Sequence, residues 1–255
     1  MFQIADVWEK IKKIDSACEE TLAGRPPLIP EIPARDILVM IPEKHPDKKG
    51  LSYREGQARL LHDLANIELQ AMELALRTLV EFPEAPAGFR EELAALTVSE
   101  SQHLRMCLQG LEKLEHAWGF WPIHTVLWRA VSSNDSLLDR ILIVHRYLEG
   151  SGLDAGDTLL RRLDAVAESA IHPILKTIFS EEVGHVEFGS RWYREICRME
   201  GIDPQEDFPL RMQRLKSQLP KRIEKICRPS RLRAGFTLSE IEFLEDWRER
   251  SRQQH

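Results

Sequence analysis

Apolar residues recur every three or four positions along most of this chain, a period that predicts helices from near one end to near the other. Residues 3–22 carry Ile4, Val7, Trp8, Ile11 and Ile14 on one side and are read as an amphipathic helix. The stretch from Arg25 to Gly50 holds six prolines and cannot continue it. Its Ile29, Ile32, Ile37, Leu38 and Ile41 are too apolar for a disordered tether, so an ordered extended arm is expected. The helical period resumes over about 52–81, with Leu61, Leu64, Ala65, Glu68, Met72, Leu76 and Leu79 on one stripe, until Phe82-Pro83-Glu84-Ala85-Pro86 stops it. A second long helix is expected over about 87–117, through Leu93, Leu96, Glu100, His103, Leu104, Cys107, Leu111 and Leu114. The connection GFWPIHTVLWRAVSSND is expected to hold a short helix of its own. A third long helix, about 135–151, carries Leu138, Ile141, Leu142, His145 and Glu149 and is expected to end at Gly150-Ser151-Gly152. A minor helix over 155–168 follows, then a fourth long one over about 170–199 through Ile174, Leu175, Ile178, Glu182, His185, Val186, Gly189 and Ile196. A last helix should start near Leu238, capped by Ser239 or Thr237. No stretch alternates convincingly at period two, so the expected fold is all-α with essentially no sheet.

Four of those apolar stripes are interrupted by a glutamate: Glu68, Glu100, Glu149 and Glu182. Two of the four begin a Glu-x-x-His word, Glu100/His103 and Glu182/His185, and the lone glutamates precede them by 32 and 33 residues. Random placement would give about one such word in a chain of this composition, so the words alone say little. Their context says more, because ionised side chains are seldom buried unless paired or bound to metal. The near-equal offsets suggest two copies of one helical hairpin, each supplying two carboxylates and one imidazole to a shared interior. Residues at i and i+3 are neighbours on one helical face and can address one ion. Four carboxylates and two histidines between four helices make the ligand set of a dinuclear iron or manganese centre. The expected assignment puts Glu68 and His103 on one metal and Glu149 and His185 on the other, with Glu100 and Glu182 bridging. The blander reading is a buried polar network or helix charges facing solvent.

Composition leaves that picture standing. The 255 residues, 43% hydrophobic and 30% charged with a net charge of −6, are ordinary for a soluble globular protein. Cys18, Cys107, Cys197 and Cys227 are scattered without metal-type pairing, which suits a reduced, cytoplasmic protein better than a disulfide scaffold. The opening MFQIADVWEKIKKID reads as neither a signal peptide nor a membrane anchor.

The segments HDLANIELQAMELAL around Glu68, VSESQHLRMC around Glu100 and His103, HRYLEGSGLD around Glu149 and EEVGHVEFGSRWY around Glu182 and His185 carry a resemblance. Together they resemble the ferritin-like superfamily in its dinuclear carboxylate form, and more narrowly a bacterial ferritin-like family catalogued as a domain of unknown function, number 455. The likeness covers about residues 50–200, with the AGF near Gly235 as a fainter echo. It implies a ferritin-like four-helix bundle with a crossover connection, and the six ligands named above. Three parts are expected: an N-terminal helix and arm (1–50), the bundle (51–200) and a helical C-terminal extension packed on it (201–255). Related branches include ferroxidases, peroxidases, hydroxylases of small molecules and a hydroxylase of modified tRNA. The expected function is a diiron oxidase or hydroxylase using O2 or peroxide on an unknown small-molecule substrate. It would hold two iron ions, with manganese or a mixed iron–manganese pair as alternatives, and draw on an electron-donor protein. A ferroxidase or metal-handling protein, and a non-catalytic helical interaction protein, are the competing readings. A homo-oligomer is compatible with all three.

Other residues are weighed beside these. His145, one turn before Glu149, is read as orienting a ligand, as an extra ligand or as a satisfied core histidine. His62 lies on another face of its helix and is read first as a half-buried histidine, second as a partner to a ligand or an interface. Glu73 and Glu181 fall off the stripe and are read as surface charges. His124 and Trp128 are read as packing of the crossover, with an entrance to the metal site as the alternative; Tyr147 and Tyr193 lack the spacing for an electron relay. Residues 208–233 hold Arg211, Arg214, Lys216, Lys221, Arg222, Lys225, Arg228, Arg231 and Arg233 against the single acid Glu224. Without interleaved aromatics the run offers no base-stacking platform, so a solvated helix balanced by acids elsewhere is preferred to RNA binding.

Overall fold

A computed structural model describes residues 1–166, 169–222 and 224–253, with side chains described up to residue 250 in the last helix. Among the described residues there is no strand, only an isolated parallel bridge between Val39 and Ile123. The helices are α1 (Val7–Leu22), α2 (Arg54–Glu81), α3 (Ala87–Lys113), α4 (Leu137–Ile141), α5 (Glu149–Asp164), α6 (His172–Glu200), α7 (Pro204–Arg214), α8 (Arg228–Arg233) and α9 (Leu238–Gln253). The chain divides into two compact units, one of Met1–Trp128 with Leu163–Ile174 and one of Arg129–Arg162 with Leu175–His255.

The first unit is built on α2, which is buried nearly all round from Gly56 to Leu79. Its apolar stripe packs mainly on α3, and α1 rests on both. Burial all round leaves many polar side chains inside, and several of them meet a backbone group or a ring. Gln70 Oε1 accepts from the amides of Leu127 and Trp128 at 3.1 and 3.3 Å, Gln57 donates to Leu51 O at 3.0 Å, and Arg77 lies over the Trp128 ring. α2 thereby pins the connection that follows α3. Only a 3-10 turn, Trp128–Ala130, stands where a short helix was expected in that connection.

Several expected boundaries shift for local reasons. α1 starts at Val7, not residue 3, because Asp6 caps it by accepting from Glu9 N at 2.7 Å. α3 stops at Lys113, not 117, where Glu115 adopts φ 57°. The arm is ordered as expected, but chiefly by polar contacts, since Leu38 and Ile41 are 65% and 56% exposed. Ala34 N donates to Phe2 O, Met40 N to Ile123 O, and Trp128 Nε1 to Glu31 O. Arg35 joins Lys10 on Glu73, at 2.5 Å each, and all three side chains are buried. Glu73 is therefore no surface charge: it faces away from the Glu68 stripe, but what covers that side is α1 and the arm. Burial is the largest influence on the Lys10 ammonium and lowers its pKa, with the Glu73 carboxylate opposing it. Glu181 is exposed, as expected.

In the second unit Gly150-Ser151-Gly152 does not end a helix. α4, a π-helical stretch Leu142–Leu148 and α5 run on without a break, so the separate minor helix expected over 155–168 is the end of α5. Residues 167 and 168 of that expectation lie outside the described residues. Two helical glycines cost about 1 kcal/mol each relative to alanine, and tertiary packing overrides that local preference. The basic run is likewise not one solvated helix. It spans α7, α8 and the segment between them, and its arginines meet carboxylates: Arg211 with Asp139 (2.5 Å) and Asp207 (2.6 Å), Arg231 with Asp154 (2.7 Å), and Arg214 with Asp139. Arg211 and Arg231 are buried. α9 begins as expected, with Thr237 as the cap: Glu240 N donates to Thr237 Oγ1 and Thr237 N to Glu240 Oε2, a reciprocal box.

Candidate metal centre

Each unit carries part of the expected ligand set on its own helices. In the first, Glu68 comes from α2 and Glu100 and His103 from α3, and all three are at most 3% exposed. His103 Nδ1 lies 3.6 Å from Glu68 Oε2 and 3.5 Å from Glu100 Oε2. Those distances exceed ordinary hydrogen bonds. Two ligands bound at about 2.1 Å to one ion, at tetrahedral or octahedral angles, stand about 3.0–3.4 Å apart, so the donors are spaced much as they would be around a cation. Cys107, one turn beyond His103, is fully buried. Burial first and the Glu68 carboxylate second push its thiol well above the ordinary range, with His103 opposing, so it remains a protonated, apolar neighbour.

In the second unit Glu182 and His185 come from α6, with His185 Nδ1 3.3 Å from Glu182 Oε1. Glu149 begins α5 immediately after the π-helical stretch, and His145 Nδ1 lies 2.8 Å from its Oε1. An ionised carboxylate only accepts, so Nδ1–H of His145 donates to it. His145 is thus a direct partner of Glu149, one of the roles expected for it. A Cβ on Gly189 would stand 2.4 Å from that of His145, so only glycine allows α6 this close an approach to the π-helical stretch. Gly189 was visible on the α6 stripe, but nothing in its spacing announced this duty.

Glu100 and His103 are buried on α3 of the first unit, and Glu182 and His185 are buried on α6 of the second; each pair offers a carboxylate and an imidazole that could hold a metal ion. Beside these pairs, Glu68 stands 3.6 Å from His103 in the first unit, and Glu149 is held by His145 in the second. The donor chemistry fits a hard or borderline dication, with carboxylate oxygen and imidazole nitrogen and no thiolate.

The remaining candidates serve other ends. His62 is fully buried, not half-buried: it accepts from Gly119 N at 3.2 Å, stacks on Trp118 and meets Trp121 edge-on. Burial lowers its pKa to about 4. Trp128 is buried against Phe2, which agrees with packing of the crossover. Tyr147 donates to Pro220 O and Tyr193 to Asp207.

These features define a class, a helical protein with a buried glutamate–histidine pair in each of its units, of a chemistry suited to a metal. A family model described as "Protein of unknown function (DUF455)" matches residues 3–242, and the chain belongs to that family. An uncharacterized protein of Haemophilus influenzae is 28% identical over 230 residues, covering 84% of this chain and 79% of the relative. No solved structure matches the chain. No helix among the described residues is long and apolar enough to cross a membrane.

Proposed function

We propose that this chain is a ferritin-like four-helix-bundle protein whose Glu68, Glu100, His103, Glu149, Glu182 and His185 hold two metal ions, iron in the first instance. We propose further that it uses O2 or peroxide to oxidise or hydroxylate a small molecule. The observation that carries this reading is that each unit buries a Glu-x-x-His pair, Glu100/His103 in the first and Glu182/His185 in the second. Carboxylates so placed carry a desolvation cost of several kcal/mol per ion, which a dication offsets. Within the second unit the hydrogen bond from His145 orients the Glu149 carboxylate before any ion arrives, while in the first unit Glu68 stands 3.6 Å from His103, at the spacing of two donors around an ion. When bound, an iron pair supplies the redox equivalents that O2 or peroxide chemistry requires. The side chains around the donors keep water away: Leu104 and Cys107 on α3 and Val186 on α6 are fully buried. A separate electron donor completes turnover.

The test is to load metal-free protein with iron(II) without air, count iron per chain, admit oxygen and follow the optical bands. Two irons per chain and bands that develop with oxygen support the reading. Large assemblies holding many irons per chain would replace it with storage, and no bound metal would end it. Glu182→Gln should abolish stoichiometric binding; a variant still holding two metals per chain refutes the ligand set.

A further inference from the structure

The π-helical stretch has two sides with different employment. One side presents His145, which holds Glu149. Arg146, Tyr147, Ser151 and Asp154 engage the C-terminal segment. Arg146 is enclosed by the rings of Tyr193, Phe208 and Phe236, with its guanidinium carbon 4.5–4.8 Å from their centroids, and pairs with Glu240 at 2.8 Å. Tyr147 donates to Pro220 O at 2.7 Å, and Ser151 accepts from Arg248 Nη2 at 3.1 Å. Asp154, fully buried, accepts from Arg231 at 2.7 Å, Arg248 at 2.9 Å and Cys227 N at 2.8 Å.

Arg231 does most at this junction. Its Nη1 donates to the carbonyl of Arg146 at 3.0 Å, inside the π-helical stretch, while its other nitrogens hold Asp154. A Cβ on Gly150 would stand 2.2 Å from that same Nη1, so the guanidinium sits against the helix at Gly150 and an alanine there would displace it. π-helical turns are rare and usually mark functional positions; here Glu149 N donates to Val144 O at its end.

We infer that Arg231, anchored on Asp154 and seated on Gly150, is a positioning residue that fixes the π-helical turn carrying His145 and Glu149. This inference rests on the metal reading above, since Glu149 and its partner are what the turn presents. A purely structural ion pair would have no need to contact the Arg146 carbonyl or to demand glycine beside the ligand.

Cobalt(II) titration of the full chain, read by visible absorption, tests it, with circular dichroism to establish folding and amide hydrogen exchange over residues 142–150. Arg231→Lys keeps the charge but loses the fork. It should remain folded, bind cobalt about 10–100-fold more weakly, show altered bands and exchange faster over 142–150. Gly150→Ala, which displaces the guanidinium, should act in the same direction. A folded Arg231→Lys protein with wild-type affinity and bands overturns the inference. Should the wild type take up no cobalt, the metal reading fails separately and exchange decides: faster exchange confined to 142–150 upholds the positioning role, and unchanged exchange refutes it. If Arg231→Lys does not fold, Arg248→Lys, which weakens the same Asp154 anchor, is judged by the same readings.

Discussion

His103 and His185 stand at the same place in the same four-residue word, yet the glutamate that precedes each word by one helix is supported in different ways. In the first unit Glu68 lies mid-way along a regular α-helix and meets His103 directly, 3.6 Å away. In the second, Glu149 follows a π-helical stretch, is held by a histidine of its own helix at 2.8 Å, and is braced from behind by α8 and α9. The comparison teaches that a local word fixes which residues share a helical face, while the partner carboxylate depends on what grips its helix. A buried α2 needs no brace, because α1, α3 and the connection after α3 surround it. The π-helical stretch is an irregular turn, and remote arginines hold it.

Ligand removal should have the largest effect. Glu100→Ala and Glu182→Ala should each eliminate stoichiometric metal binding, measured as metal per chain after gel filtration. If one of them left both ions in place, the two words would not be equivalent. Next comes the buried triad of the first unit. Glu73→Ala leaves Lys10 and Arg35 as uncompensated buried charges and should cost about 3–5 kcal/mol in denaturant unfolding. A loss below about 1 kcal/mol would mean that the arm and α1 are held by something else.

Acidification separates the units further. His62 has its proton affinity lowered by burial, so the unfolded chain takes up a proton near pH 6.5 while the folded chain resists until about 4. The stability contributed by neutral His62 is complete above pH 6.5 and declines as pH falls toward about 4, at no more than about 1.4 kcal/mol per pH unit. His62→Phe should flatten that slope in unfolding curves collected across the window, and an unchanged slope would assign it to other groups. In the second unit, Gly189→Ala forces a methyl against His145 and should cost about 1–3 kcal/mol, against the usual gain of alanine over glycine in a helix. Any stabilisation would contradict the close approach. The smallest expected effect is at the start of α9, where Thr237→Ala removes half of a reciprocal cap worth about 1 kcal/mol. If the Tm stays at the wild-type value, that cap contributes nothing.

Much of the helical content was legible from period alone. α2, α3 and α6 lie within a few residues of their expected spans, and the six candidate ligands stand on the helical segments expected to carry them. The boundaries that moved did so through single groups, the Asp6 side chain at the start of α1 and the left-handed Glu115 after α3. The larger departures share one cause. Gly150-Ser151-Gly152 reads as a helix terminator because glycine is a poor helix former, yet Gly150 leaves the space that Arg231 fills. Glu73 reads as a surface charge because it leaves the apolar stripe, yet Lys10 and Arg35, 63 and 38 residues away in sequence, bury it. The basic run reads as solvated because two acids that meet its buried arginines, Asp139 for Arg211 and Asp154 for Arg231, lie 72 and 77 residues before them.

Alone, the order of residues determined the helices, the faces on which the glutamates and histidines stand, and the candidate donor set, because helical period and i to i+3 adjacency are properties of neighbours along the chain. Tertiary structure decided which charges are buried, that α4 and α5 join through a π-helical stretch, and that Arg231 lies against Gly150. Those outcomes depend on desolvation, close packing and hydrogen bonds between groups distant in sequence, and no local pattern records the partner.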